Sequence, residues 1–437
     1  MKIHLIGIGG IGVSALAQYY LSKGHQVSGS DLVASEITDF LKQKGIKIII
    51  GNYGKNIEKD FDLVVHSPAV KASNPEFKKA KQLKIKTQSY PEALGDLTKE
   101  YYTIAVAGAH GKSTTTAMIG LVLTAAGLDP TVIVGTKVKE FGNSNFREGK
   151  SKLLVIEACE YDSSFLYYSP KIAVITNVDK EHLDYFKTFA NVIKAFKNFI
   201  LKLPKDGLLV FNADDSNIPV IENPVFKSAG YSLTSKDAPK IKKILKVPGK
   251  HNVSNALAVL EVARFLIVPE SISFKAISEF NGTWRRFEIK QGSANEKKIT
   301  VISDYGHHPN EIMATLTAAR EKYKKTHSTS SGRAIWCVFQ PHQHQRTHYL
   351  FNDFVKTFRS VPIDKIIITD IYDVAGRETK SKSGGVSSKK LVKEINKESV
   401  IYVPLDKTEE FIKENIKAGD VLIIMGAGDI YKLADNF

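Results

Sequence analysis

The strongest constraint on the fold is a glycine-rich turn that twice joins an apolar run to a helical stretch. The run MKIHLI leads into GIGGIGVSALAQYYL, where Gly7, Gly9 and Gly12 follow the spacing GxGxxG. The run YYTIAVAG leads in the same way into GAHGKSTTT from Gly108. Further apolar runs alternate with helical stretches, which predicts an α/β fold with mainly parallel sheets.

The chain is expected to form three domains, because 437 residues exceed one ordinary core. Changes in the pattern predict a Rossmann-like domain over residues 1–98, a central phosphate-loop domain over 99–283 and a second Rossmann-like domain over 284–437. In the third segment, the polar stretches KKTHSTSSGR and VAGRETKSKSGGVSSKK are predicted to be mobile loops.

Composition excludes several classes of protein. The net charge of +15 comes from lysines that are spread out without interleaved aromatic residues, which argues against a nucleic-acid partner. No apolar run approaches the roughly 20 residues of a membrane helix, so no membrane insertion is expected. The chain opens on a strand rather than an export signal, which predicts a cytoplasmic protein. Cys159 and Cys337 are far apart, which argues against a disulfide framework or a zinc knuckle.

The first glycine turn has the features of a nucleotide site. A strand, a glycine turn, a helix and a second strand are followed by Asp31 in VSGSD. Glycines let the backbone approach a pyrophosphate, and the acid can bond a ribose hydroxyl. The alternative is a tight strand-to-helix turn without a ligand.

The second glycine turn resembles a phosphate loop without its first glycine, whose place is taken by Val106. Lys112 can still neutralise phosphates, and Ser113 offers a hydroxyl to Mg²⁺. A glycine turn with an incidental lysine is the alternative.

Two strand ends provide candidate metal ligands. VIEACEYDSSF and ITNVDKEHLDYF carry Glu157, Glu160, Asp162, Asp179, Glu181, His182 and Asp184. Because consecutive parallel strands end at one edge of a sheet, these groups can face the phosphate loop. Each acid alone could instead be a helix cap or a solvated charge.

Together these motifs resemble those of the Mur ligases along the whole chain. The family's motifs are matched in order by GIGGIGVSALA with GSD, GAHGKSTTT, EACEYDSSF, TNVDKEHLDYF, PGKHNVSNALAV, RRFE, SDYGHHPNEI, FQPHQHQRT and GAGDI. The shortened phosphate loop is this family's own form. The resemblance implies a UDP-sugar-binding first domain, an ATP-binding central domain and a C-terminal domain that closes over ATP and the amino acid.

The resemblance also implies an activity. We expect an ATP-dependent ligase, monomeric or homodimeric, that joins L-alanine to the lactyl carboxylate of UDP-N-acetylmuramate through an acyl phosphate. Two Mg²⁺ ions are expected, with Mn²⁺ as a substitute. The implied catalytic residues are Lys112, Glu157, His182, Arg286 and Arg346.

The binding residues that the resemblance implies form four groups. ATP is assigned to Gly108, Ala109, His110, Gly111, Lys112, Ser113, Thr114, His251, Asn252, Asn255, Arg286 and Asp304. The UDP-sugar is assigned to Gly9, Gly10, Ile11, Gly12, Ser30, Asp31 and Ser67. The amino acid is assigned to Tyr305, His307, His342 and Arg346, and the metal to Ser113, Glu157 and His182.

The sequence departs from the family pattern at Cys159, Tyr161, Ser303 and Gln343. Gln343 replaces an arginine and leaves Arg346 alone, so glycine or serine stays open in place of L-alanine. Neither Lys194 nor Lys197 clearly takes the position of the carbamylated lysine that other members carry.

Three other functions stay open at this point. One is a recycling ligase that adds a whole tripeptide to the same sugar nucleotide. Another is an NAD-dependent oxidoreductase, which would leave Lys112 and the metal strands without a task. The third is a phosphate-binding scaffold without turnover.

Overall fold

The computed structural model of the chain describes residues 1–222, 224–323, 333–373 and 385–437, apart from the side chain of Asp184. These residues form three separate sheets of five, seven and six strands. Helices connect most of the successive strands along the chain. The α/β class with mainly parallel sheets, predicted from the alternation of apolar and helical runs, is confirmed.

The first sheet is parallel throughout and has the order β3-β2-β1-β4-β5. Its strands are β1 (Lys2–Ile6), β2 (Gln26–Asp31), β3 (Lys47–Ile50), β4 (Leu63–His66) and β5 (Lys86–Ser89). Its helices are α1 (Ile11–Ser22), α2 (Glu36–Gln43), α3 (Pro75–Gln82) and α4 (Tyr90–Glu100). β1 is buried over nearly its whole length, as expected of a central parallel strand.

The second sheet has the order β12-β11-β10-β6-β9-β7-β8. Its strands are β6 (Tyr102–Ala107), β7 (Thr131–Val138), β8 (Ser144–Arg147), β9 (Leu153–Glu157), β10 (Ile172–Ile175), β11 (Leu208–Asn212) and β12 (Lys227–Tyr231). The next helices are α5 (Lys112–Ala125), α6 (Leu183–Phe186), α7 (Phe189–Ile200), α8 (Ala238–Ile244), α9 (Lys250–Phe265) and α10 (Glu270–Glu279). Only β8 is antiparallel to its neighbour, because a short hairpin joins it to β7.

The third sheet has the order β13-β14-β18-β15-β16-β17. Its strands are β13 (Glu288–Ala294), β14 (Lys297–Asp304), β15 (Ile335–Phe339), β16 (Lys365–Ile368), β17 (Val400–Tyr402) and β18 (Val421–Met425). Its helices are α11 (Pro309–Lys322), α12 (His344–Tyr349), α13 (Phe351–Ser360), α14 (Ser388–Ile395) and α15 (Leu405–Asn415). β13 is antiparallel to β14, and the other pairs are parallel.

The chain divides into two compact units. The first comprises Met1–Ile244 and Ser254–Phe280 and contains the first two sheets, and the second comprises Leu245–Val253 and Asn281–Phe437. The domain limits 1–98, 99–283 and 284–437 stay a prediction.

A largely buried polar network joins helix α1 to strand β8 of the second sheet within the first unit. Asn145 on β8 donates to the carbonyl of Ile11 at 2.5 Å and to the hydroxyl of Ser14 at 2.9 Å, and it accepts from Gln18 at 2.8 Å. Because these buried groups satisfy one another, the network holds α1 in a fixed position against the second sheet.

The two predicted mobile loops fall largely outside the described residues, at 324–332 and 374–384. The second prediction was wrong at its C-terminal end, because Ser387 caps α14 from Ser388 by accepting the amide N–H of Lys390 at 3.2 Å. In the described ranges, none of the helices is both long and apolar enough to cross a membrane.

Candidate active site

The first glycine turn lies at the carboxyl ends of β1, β2 and β4. Gly7 has a φ of +78°, and a Cβ there would lie 2.9 Å from the Cβ of Ser67. The amide N–H of Gly9 donates to Oδ2 of Asp31 at 2.8 Å, which fixes the acid beside the turn. In or beside these strand ends lie all the residues assigned to the sugar nucleotide: Gly9, Gly10, Ile11, Gly12, Ser30, Asp31 and Ser67.

The phosphate loop follows β6 and requires glycine at two points. Gly108 has a φ of +141°, and a Cβ there would lie 2.0 Å from Oγ1 of Thr176. Gly111 has a φ of +82°, and a Cβ there would lie 2.5 Å from Oδ1 of Asn255. Both positions need the left-handed backbone and the small volume that glycine provides.

Asn177, which follows β10, supports the same loop from its other side. Its carbonyl accepts from the amide of Ala109 at 3.1 Å, and its side chain pairs with both backbone groups of His110 at 2.8 and 2.9 Å. The imidazole Nε2 of His110 lies 3.0 Å from Oδ2 of Asp179. The loop is therefore held in shape by its neighbouring strand.

Lys112 forms a largely buried ion pair at the start of α5. Its Nζ donates to Glu160 at 3.0 Å and to the carbonyls of Gly108 and Ala109 at 2.5 and 3.1 Å. The side chain of Lys112 is 13% exposed, and that of Glu160 is 1% exposed. Burial lowers the pKa of Lys112, but the negative charges of Glu160 and its neighbours outweigh burial and leave the pKa above its usual value. Lys112 is therefore held as a cation over the loop.

The strand order brings the loop and the candidate metal residues to one edge. β6 carries the loop and lies between β9, which ends at Glu157, and β10, which precedes Asn177. Oε2 of Glu157 accepts from the amide of Gly135 at 2.8 Å, and a Cβ at Gly135 would lie 2.7 Å from that same oxygen. Ser113 and Thr114 are buried in the first turn of α5.

His182 lies on the segment after β10 and reaches the same carboxylate as Lys112. Its Nε2 is 3.8 Å from Oε1 of Glu160, and its ring is 4.9 Å from the ring of Tyr161. His182, Asp162 and Ser163 all have φ values near +55°. Such left-handed residues are uncommon outside glycine, and their grouping here is typical of a functional site.

The residues assigned to adenine binding lie on or near α9. Asn252 donates to the carbonyl of Pro248 at 2.7 Å, and the carboxamide of Asn255 lies against Gly111. A Cβ at Gly249 would lie 2.5 Å from Cε1 of His251. In the first unit, Asn255 is thus the member of this set that borders the phosphate loop.

In the second unit, Asp304 ends β14 and is buried. Its carboxylate accepts from the amides of Phe287 and Gly306, both at 2.8 Å. Burial raises the pKa of Asp304, while the charge of Arg286 opposes that rise. Arg286 also lies 3.4 Å from Glu311.

The residues assigned to the amino acid come together in this unit. The ring of His307 lies 5.4 Å from that of Tyr305 and 6.0 Å from that of His342. His342 stacks on Tyr372 at 5.5 Å, and Nη1 of Arg346 lies 3.1 Å from its Nδ1. A guanidinium can only donate, so this nitrogen of His342 accepts.

Sequence reasoning missed several supporting residues. Asn177 lies in the stretch TNVDKEH, but nothing in the sequence indicates that its side chain bonds both the N–H and the carbonyl of His110. Glu160 was a candidate carboxylate and was not given the role of partner to Lys112. Arg285 is buried and donates to the carbonyls of Gly426 and, at 2.9 Å, Gly428, whereas the doublet RR alone does not tell which arginine turns inward.

One departure from the family pattern alters the loop's surroundings little. Cys159 follows Glu157 by two residues, and burial raises the pKa of its thiol to about 12, so it is a neutral thiol near neutral pH. It adds no charge beside Lys112.

A phosphate loop whose lysine is largely buried, at the carboxyl edge of a mainly parallel sheet, is typical of proteins that bind a nucleoside triphosphate. Three family models match the chain in order: Mur ligase family, catalytic domain, over residues 2–102; Mur ligase middle domain over 106–246; and Mur ligase, glutamate ligase domain, over 285–428. The chain belongs to the Mur ligase family.

Comparison with individual proteins shows which members of the family the chain is similar to. The chain is 41% identical to the UDP-N-acetylmuramate–L-alanine ligase of Acetivibrio thermocellus, over 100% of this chain and 95% of that protein. It is 40% identical to the ligase of the same name from Caldanaerobacter subterraneus, over 100% and 97%. The crystal structure of UDP-N-acetylmuramate-alanine ligase from Thermotoga maritima superposes with a TM-score of 0.81 at 29% identity, covering 100% and 98%. A murein peptide ligase from Psychrobacter arcticus shares the fold, with a TM-score of 0.71 and 23% identity.

Proposed function

We propose that this protein is an ATP-dependent ligase that joins L-alanine to the lactyl carboxylate of UDP-N-acetylmuramate and releases ADP and phosphate. The observation that carries the proposal is full-length identity of 40–41% to ligases named for that reaction. The phosphate loop with its buried lysine supports the same chemistry. Because the reaction consumes ATP and a UDP-linked sugar, we place it in the cytoplasm.

The reaction must overcome the low reactivity of a carboxylate toward an amine. A carboxylate oxygen attacks the γ-phosphorus of ATP, the bond to the β–γ bridging oxygen breaks, and ADP leaves. The neutral amine of L-alanine then attacks the acyl carbon and loses a proton to solvent, and phosphate leaves carrying the former carboxylate oxygen. Phosphoryl transfer of this kind depends mainly on positioning and on neutralising charge.

Lys112 is the residue that we assign to the β and γ phosphates. Its ammonium already lies over the loop carbonyls, and its partner Glu160 is the anion that phosphate oxygens would replace. The N-terminus of α5 adds partial positive charge at the same place. The amides of Ala109 and His110 already donate to Asn177, which orders the loop before ATP binds.

The side chains at this edge fit magnesium. Glu157 offers a carboxylate, Ser113 a hydroxyl and His182 an imidazole, and Glu160 adds a second carboxylate. Oxygen-rich sets of this kind suit Mg²⁺ and accept Mn²⁺. When bound, the metal would neutralise phosphate charge and orient the phosphates for in-line attack.

The amino acid is assigned to the second unit. Tyr305, His307, His342 and Arg346 lie close together there, and Arg346 can pair with the carboxylate of L-alanine. The assignment of Arg286 and Asp304 to ATP stays a prediction, since the carboxylate of Asp304 already accepts two backbone amides.

Heavy oxygen tests the proposed chemistry. UDP-N-acetylmuramate labelled in both oxygens of its lactyl carboxylate should transfer one labelled oxygen to phosphate in each turnover, read by mass spectrometry of the phosphate. Peptide formation with unlabelled phosphate would rule out the acyl phosphate. Offering L-alanine, glycine, L-serine and the murein tripeptide in turn identifies the amine. Turnover with the tripeptide alone would replace L-alanine as the substrate.

A further inference from the structure

A fully buried carboxylate lies beneath the first glycine turn and has no role in the chemistry above. Glu76 stands in the first turn of α3 and is 0% exposed. Its Oε2 accepts from the hydroxyl of Ser30 at 2.6 Å, and its Oε1 accepts from Nδ2 of Asn56 at 2.6 Å. Nε2 of His4, also fully buried, lies 3.7 Å from the same Oε1. A carboxylate in the core needs such a set of partners to be tolerated.

The two donors, Ser30 and Asn56, link Glu76 to the glycine turn and to Asp31 beside it. The carbonyl of Ser30 accepts from the amides of Gly7 and Ile8 at 2.8 and 3.0 Å. Asn56 also donates to the carbonyl of Gly51 at 3.4 Å, and Gly51 in turn donates to the carbonyl of Asp31 at 2.8 Å. A shift of either donor would therefore move the turn or the acid beside it.

Ser30 itself is poorly placed to touch a ligand. Its side chain is buried, with the residue 1% exposed, and its single hydroxyl proton is given to Glu76. What Ser30 presents toward the turn is its carbonyl, whose position depends on where the side chain is held.

We propose that Glu76 is a positioning residue for binding of the sugar nucleotide, and that Ser30 acts as its link to the glycine turn rather than as a contact to the ligand. The proposal rests on the proposed function, because it concerns the site assigned to UDP-N-acetylmuramate. The negative charge matters because both partners are donors. Glutamine would offer an amide NH₂ to one of them, and that donor would have to turn away.

Calorimetric binding to the full chain tests the proposal without turnover. UDP-N-acetylmuramate is titrated into wild type, Glu76→Gln, Ser30→Ala and the double variant, and Mg²⁺-ADP is titrated separately. We expect Kd for the sugar nucleotide to rise roughly tenfold in each single variant, as loss of a hydrogen bond to a charged group implies. The double variant should bind the sugar nucleotide no more weakly than the weaker-binding single variant does, since both changes break the same link. Kd for Mg²⁺-ADP should stay unchanged.

Glu58→Gln is the matched control, because Glu58 is an exposed acid in the same domain. Its Kd for both ligands should equal that of wild type. If Glu76→Gln does not fold, Asn56→Ala removes the other donor and should also raise Kd for the sugar nucleotide.

The outcomes separate the two proposals. Failure of wild type to bind UDP-N-acetylmuramate would contradict the proposed function. Normal binding by wild type together with unchanged Kd in folded Glu76→Gln, or in both Ser30→Ala and Asn56→Ala, would overturn the positioning role. Independent, additive losses in Glu76→Gln and Ser30→Ala would show that Ser30 contacts the ligand directly, which also overturns it.

Discussion

At the scale of single residues, the main feature is that Lys112 has a protein anion as its partner. Oε2 of Glu160 accepts from Nζ of Lys112 at 3.0 Å, and both side chains are largely shielded from solvent. An exposed lysine would lose rotamer entropy when ATP binds, whereas this lysine is already fixed. In the proposed reaction, ATP binding would exchange one anion for another on the same cation.

Replacing Lys112 by methionine should abolish most activity while leaving the loop's glycines in place. We expect kcat for ADP release to fall about 10³-fold, a magnitude typical of losing a charge that stabilises the transition state. Lys139→Met, an exposed lysine in the same domain, is the control and should retain wild-type kcat. Equal activity in the two variants would contradict the role of Lys112.

Breaking the ion pair from the other side should lower stability. Glu160→Gln leaves Lys112 buried without its anion, so we expect the free energy of unfolding to fall by about 2–4 kcal/mol. Adding Lys112→Met to Glu160→Gln removes the unpaired charge and should recover part of that loss. Urea unfolding measures all three variants. A double variant as unstable as the sum of the single changes would show that the pair is not coupled.

Asp304 gives a prediction about pH. Burial raises its pKa above the usual value of 3.8, so the folded protein holds this proton more tightly than the unfolded chain. Its contribution to stability is fully present below the unfolded pKa and is lost as the pH rises through the folded pKa. The free energy of unfolding of wild type minus that of Asp304→Asn should therefore fall as the pH rises above about 4.

Urea titrations at several pH values measure that difference. A difference for Asp304→Asn that rises with pH would mean that its pKa is lowered instead.

At the scale of elements, the strand ends and the turns that follow them shape the site. β9, β6 and β10 are neighbours, and each delivers a different part: a carboxylate, the loop, and the asparagine that holds the loop. At Gly108 the loop passes so close to the neighbouring segment that a Cβ there would lie 2.0 Å from Oγ1 of Thr176.

Gly108→Ala should disrupt the loop, and Gly127→Ala separates the steric cause from the backbone cause. Both glycines have positive φ, but a Cβ at Gly108 would lie 2.0 Å from Thr176, whereas a Cβ at Gly127 meets nothing within 4 Å. Gly127→Ala should cost about 1 kcal/mol of unfolding free energy and leave KM for ATP unchanged. Gly108→Ala should cost more and raise KM for ATP at least about tenfold. Equal effects in both variants would mean that the clash is relieved elsewhere.

The sequence predicted the parallel strands because apolar runs alternate with helical stretches, and runs such as IAVI and VLIIM are buried at every position, as parallel strands usually are. It also predicted which strand ends carry acids. It did not predict that β8 and β13 are antiparallel, since that depends on short connections and on free sheet edges. Nor did it predict the pair of Lys112 with Glu160, because residues 48 apart in sequence meet only through strand order. It did not predict the left-handed backbone of Asp162 and Ser163 either.

At the scale of the whole molecule, ligands should stabilise the fold by mass action. UDP-N-acetylmuramate at 100 times its Kd should add about 2.7 kcal/mol to the free energy of unfolding and raise Tm. NADH at the same concentration should not, although GxGxxG and Asp31 are also typical of dinucleotide sites. Differential scanning fluorimetry measures both. A rise in Tm with NADH and none with the sugar nucleotide would favour an oxidoreductase.

The place of β6 in the middle of its sheet has a consequence for how this protein can change over time. The loop, the carboxylate strand and the supporting asparagine are aligned by backbone ladders between strands spaced about 4.8 Å apart, and ladders do not depend on side-chain identity. Replacements such as Cys159 and Tyr161 can therefore accumulate in the connecting segments while the reacting groups keep their spacing. Over evolution, the connecting segments around the site can change long before the groups on the neighbouring strand ends lose their alignment.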